Sequence, residues 1–198
     1  TEPAVSSRRP RSRAPGFRTA SSGAYVFTVG LANPLSSSDD GFLSKLDPSG
    51  SVIWTKTFAE IMGSHGWSPM DVKVIADRVY VCGLLDQSSA NRGFVAKLTL
   101  DGSLEDYSLF TASGTGSFAR ATSLAVSSYG GAPSIVVVGD ALGDTVRVQQ
   151  RQRLAAVDVY PNLKIHRDLS GNARSDVFIV RMDASFTANW ATTMGFER

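Results

Sequence analysis

Apolar positions in this chain come in short runs of four to seven residues rich in Val, Ile, Phe and Tyr. The segments between them are turn formers: DPSG at 47–50, DG at 101–102 and several Ser-rich stretches. No window of ten or more residues spaces its apolar positions at 3.6, so the pattern predicts strands and hairpins and almost no helix. In the middle of the chain the runs resolve into four expected strands at 70–76, 78–84, 93–100 and 104–111. The expected fold class is all-β.

The same pattern recurs. GFLSKLDPSGS at 41–51 returns as GFVAKLTLDGS at 93–103 and, more weakly, as VFIVRMDAS at 177–185. Phe42, Phe94 and Phe178 align, as do Lys45, Lys97 and Arg181, then Leu46, Leu98 and Met182. A β-branched run closed by glycine precedes each copy, at 25–30, 79–83 and 135–139, and an aromatic run follows, with Trp54 and Trp190 in register. A module of about 53 residues with four antiparallel strands has the size of one blade of a β-propeller.

The linked segments, a Val-Tyr-Val-x-Gly strand, then Gly-Phe-Val-Ala-Lys-Leu, then a strand ending in an aromatic and Gly, resemble the bacterial-type propeller repeats called SBBP repeats. The resemblance spans about residues 24–195 apart from one insertion. It implies propeller blades of four antiparallel strands and an extracellular or cell-surface location, and it brings no catalytic motif. The GSVIW end at 50–54 is also similar to the tryptophan-docking motif of quinoprotein propellers, but the second module has Asp106 at that place.

The expected organisation is a basic arm at 1–23 followed by a repeat segment at 24–198. Its modules run at about 24–63, 64–114 and 115–195, with an insertion at about 144–175. The polar stretch at 15–23 offers the first module no evident inner strand. Three blades do not close a ring of the usual four to eight, so an incomplete ring, or a fragment of a larger propeller, is expected. From the strand-ending glycine to the next Phe there are 12, 11 and 39 residues in the three modules. The polarity of 145–154 predicts that this insertion meets solvent or a partner rather than a core.

Composition refines this picture without changing it. At 42% hydrophobic and 19% charged, the 198-residue chain has the material for a packed core. Its longest apolar stretches, such as 135–138, fall far short of the roughly 20 residues of a membrane-spanning helix. The net charge of +2 is unevenly spread: segments 1–23 and 145–175 are each +4, which leaves the remainder at −6. Arg8, Arg9, Arg11, Arg13, Arg147, Arg151 and Arg153 are therefore the candidate partner-binding residues. Guanidinium forks favour acidic protein surfaces first and anionic lipid or RNA second. The chain starts at Thr1, and its Arg- and Ser-rich opening reads either as an organellar transit remnant or as a basic disordered arm.

Candidate chemistry is sparse. HRDLSGN at 166–172 resembles a kinase catalytic loop, but its Asn is one residue too close and the phosphate loop is missing, so a polar turn is expected. Asp39, Asp40, Asp86, Asp140 and Asp144 follow the β-branched strands. Calcium suits such carboxylates, yet their spacing matches no recognised calcium loop. His65 lies in a Gly-rich connection, and a catalytic role would need an orienting carboxylate and a nucleophile. Gly114 and Gly116 read as a link between modules, Cys82 as a small core residue, and Lys45, Lys97 and Arg181 as snorkelling cations. One cysteine and two histidines make no zinc cage, and no cofactor is called for. The expected function is a non-enzymatic scaffold for protein–protein interaction within an assembly. The alternative is an enzyme or carbohydrate-binding lectin with its site at the channel mouth.

Overall fold

In the computed structural model, which describes residues 18–31, 40–86, 91–114, 116–129, 132–143, 145–150 and 176–194, the chain forms thirteen strands and one five-residue helix. The first sheet runs in order through β1 (Arg18–Ser22), β2 (Tyr25–Leu31), β3 (Gly41–Leu46) and β4 (Val52–Thr57), and α1 (Phe58–Met62) leads out of it. The second contains β5 (Trp67–Ile75), β6 (Arg78–Leu85), β7 (Arg92–Thr99) and β8 (Leu104–Ala112). The third contains β9 (Phe118–Tyr129), β10 (Ala132–Leu142), β12 (Asp176–Asp183) and β13 (Ala188–Met194). Neighbouring strands within each sheet are antiparallel.

The sequence repeat is a repeat of hydrogen-bond register. Phe42, Phe94 and Phe178 all lie on the third strand of their sheets, opposite Gly30, Gly83 and Gly139. In the second and third sheets the ring lies over the glycine: a Cβ there would fall 2.7 Å from a ring carbon of Phe94 at Gly83, and 2.3 Å from one of Phe178 at Gly139. Glycine is required because ring and neighbouring backbone already fill the space. A bulge follows Lys45, Lys97 and Arg181 alike. The turn beyond each bulge is also the same, closed by hydrogen bonds from Gly50 N to Asp47 O, Gly102 N to Thr99 O and Phe186 N to Asp183 O, each 3.0 Å. Its last residue is left-handed, φ 84° at Gly50, 77° at Gly102 and 57° at Phe186.

The sheets pack face to face in chain order, so each module has a face toward its predecessor and a face toward its successor. Phe27, Val29 and Leu43 of the first sheet meet Val79, Val81, Phe94, Ala96 and Leu98 of the second in one core. Tyr80, Cys82, Val95 and Phe110, on the other face of the second sheet, meet Ile135, Val137, Phe178, Val180 and Met182 in another. The second sheet is thus covered on both sides, which is why 79–82 reads as an unbroken apolar run. In the flanking sheets burial alternates in opposite phase: Phe27 and Val29 are buried in the first, whereas Ile135 and Val137, one position over in the aligned register, are buried in the third. Each fully buried Phe or Leu contributes roughly 1.5–3 kcal/mol.

Two expectations need correction. The first module does have an inner strand: β1 pairs along its whole length with β2, from Arg18 opposite Val29 to Ser22 opposite Tyr25. Backbone pairing at a sheet edge does not demand an apolar pattern, and RTASS has none. The start of the insertion does not leave the scaffold. Residues Val146–Gln150 form β11, a fifth strand paired to β8 of the preceding sheet, with Val146 and Val148 buried in the second core. The one helix among the described residues, α1, accords with a pattern that predicted almost none; it is held by a capping box in which Glu60 N donates to Thr57 Oγ1 and Thr57 N donates to the Glu60 carboxylate.

Candidate functional site

At both joints between consecutive sheets, a turn of the following sheet seats on the preceding one. At the first joint, Trp54 of β4 packs edge-on to Phe27, with ring centroids 6.2 Å apart, and the β7–β8 turn seats on Trp54 at Gly102. A Cβ on Gly102 would lie 2.9 Å from the indole, so the contact needs glycine for both space and φ. Beside it the Lys56 ammonium donates to Asp101 O at 2.8 Å.

At the second joint Asp106 stands at the place of Trp54. The β12–β13 turn compensates with Phe186, whose ring packs edge-on to Tyr80 at 6.5 Å, the counterpart of Phe27. Lys97 donates to Ala184 O of that turn at 3.1 Å. Deeper in this joint, Asp71 of β5 is 5% exposed and accepts from Ser123 Oγ at 3.1 Å and Leu124 N at 3.0 Å, both on β9. Burial alone would raise the Asp71 carboxyl, but bonds from Lys73, Leu124 N and Val72 N outweigh it and hold it below the ordinary 3.8.

The outward faces of the two flanking sheets lie toward solvent. Among the described residues, the exposed large apolar side chains are Tyr25, Val52 and Ile53 on the first sheet, Tyr25 sharing the face of Phe27, and Trp190 and Met194 on the third, with none on the second. Val52 is 61% exposed, whereas Ala188 at the equivalent place on the third sheet is 6% exposed. Trp190, in register with Trp54, is 40% exposed.

No family model matches this chain. No curated protein matches it either. Neither comparison identifies an SBBP repeat family.

Arg147 lies on β11 with an exposed side chain, while Arg8, Arg9, Arg11, Arg13, Arg151 and Arg153 lie outside the described residues, as do Asp39, Asp144 and residues 166–172. His65 Nδ1 is hydrogen-bonded to the Asp40 carboxylate, whose other oxygen accepts from Gly66 N at 3.2 Å. This supplies the orienting carboxylate that spacing alone did not reveal, the two residues being 25 apart. Asp140 takes a two-pronged bond from Arg120, both arms 2.9 Å. No cluster of three or more metal-ligating side chains occurs among the described residues. Burial pushes the Cys82 thiol far up, so it stays protonated and inert. Gly114 and Gly116 do link β8 to β9.

Lys45 Nζ sits 3.9 Å from the centre of the Tyr25 ring, and Arg181 Nε donates to Ser134 Oγ at 2.9 Å, so these cations are held locally. A groove of about 380 Å³ between β4 and β8 is lined by Thr55, Lys56, Glu60 and Leu104, but its charged groups are already engaged by Thr57 and Asp101 O. No helix among the described residues is long and apolar enough to cross a membrane.

Proposed function

We propose that the chain is a non-enzymatic β-propeller scaffold, its three sheets being blades of a ring that further blades complete, working within a larger protein assembly. The observation that carries this reading is the contrast between the second sheet, covered on both faces, and the flanking sheets with Val52, Trp190 and Met194 in solvent. Apolar side chains gathered on one face of a sheet are a mark of an interaction surface. The SBBP-like repeat supports the same reading.

Partner contacts are assigned to the basic segments, Arg8 to Arg13 and Arg147, Arg151 and Arg153, with acidic protein surfaces ahead of anionic lipid or RNA. Exposed charge contacts are screened beyond about 8 Å at 0.15 M salt. The test is co-purification from cells at low and high salt for the intact chain, for a chain lacking residues 1–17, and for R147S/R151S/R153S. Truncation stops at 17 because β1 begins at Arg18. Partners lost in the variants and at high salt support the reading; partners retained in both variants refute the assignment of these arginines.

The second reading, an enzyme or lectin site at the channel mouth, draws on the Asp40–His65 pair. A turnover or sugar binding abolished by His65→Ala would favour it.

A further inference from the structure

Resting on the propeller reading, we propose that the partner completing the ring is a second copy of this chain, docked head to tail, the outward face of the third sheet against the outward face of the first. The two internal joints supply the template. A Trp at the Trp54 place is matched by glycine in the following turn, at Gly102, whereas Asp106 is matched by Phe186. The third sheet carries Trp190 and thus calls for a glycine turn, and the first sheet carries one at Gly50, whose φ of 84° matches the 77° of Gly102 and where a Cβ would meet no atom within 4 Å. Val52, bare at the head, occupies the position that Ala188 fills at the second joint.

The two faces differ, so the contact is heterologous and must close on itself or grow into a filament. Propellers use about four to eight blades, and the one multiple of three in that range is six, reached with two copies.

The test is native mass spectrometry of the purified 198-residue chain with two charge insertions at exposed sites, W190D in the tail and V52D in the head. The intact chain is expected at about 42 kDa, twice its 21.1 kDa, and each variant alone at the single mass. Mixing the two variants at high concentration is expected to restore a 42 kDa species, because one tail and one head remain intact. That recovery also shows that both variants fold. A monomeric intact chain, an open ladder, a dimer lost in only one variant, or no recovery on mixing overturns the proposal. A monomer that still co-purifies with other proteins would overturn this inference while leaving the scaffold reading in place.

Discussion

Replacing Asp71 by Ala tests the second joint from inside. The carboxylate accepts from the buried Leu124 N–H at 3.0 Å and the buried Val72 N–H at 2.9 Å, and from Ser123 Oγ across the joint. An orphaned buried donor costs about 1–3 kcal/mol, and partial relaxation of the backbone around the two N–H groups reduces their combined cost. The pair with Lys73, whose side chain is 41% exposed, adds about 0–1 kcal/mol. The expected loss is about 2–4 kcal/mol, or roughly 5–15 °C in Tm for a chain of this size.

The pH dependence of that loss has a definite sign. The folded carboxyl titrates below its unfolded value, so its contribution is complete above about pH 4 and disappears as pH falls through the folded-state value. Thermal unfolding followed by circular dichroism should give the full gap between wild type and D71A at pH 7 and a narrowing gap below pH 4. Asp71→Asn, which keeps one acceptor oxygen, should fall between them at pH 7. An unchanged Tm in D71A, or a gap that persists undiminished into acid, would refute this account of the joint.

Phe94→Ala and Phe178→Ala should each cost about 3–5 kcal/mol in chemical denaturation, and Phe42→Ala about half that, because only Phe42 sits on an outward face; equal losses in all three would contradict the assigned faces. Gly139→Ala should lower stability by about 1–3 kcal/mol, since its Cβ would fall 2.1 Å from Arg120 O and backbone cannot swing away. The Cys82 thiol should resist a thiol-specific reagent at pH 8 until the chain is unfolded, and labelling at the rate of a free thiol would contradict its burial.

The repeat was legible because the Phe, the cation and the Leu sit at fixed spacing from a strand-ending glycine, and that spacing is also the hydrogen-bond register. The second module's strands were expected at 70–76, 78–84, 93–100 and 104–111 and occur as Trp67–Ile75, Arg78–Leu85, Arg92–Thr99 and Leu104–Ala112. β1 escaped notice because polar RTASS is held through its backbone. β11 carried a signal: Val146, Arg147 and Val148 alternate as a half-buried strand should, but the surrounding Arg and Gln outweighed it. Thr57 and Glu60 had the spacing of a capping box, which could have announced α1. The Asp40–His65 pair and the Trp54–Gly102 contact join distant residues, and nothing local encodes such proximity.

If the seat that Trp54 gives to the Gly102 turn is repeated between molecules at Trp190, photo-cross-linking from these two equivalent positions shows it directly. With a benzoylphenylalanine in place of Trp54, the cross-link should join the tryptic peptide 98–120, which contains Gly102, within the same molecule. The same group in place of Trp190 should capture peptide 46–56, which contains Gly50 and Val52, from a second molecule, identified by mixing light and ¹⁵N-labelled chains. Capture of any other peptide from position 190, or none while position 54 reacts as expected, would contradict the account.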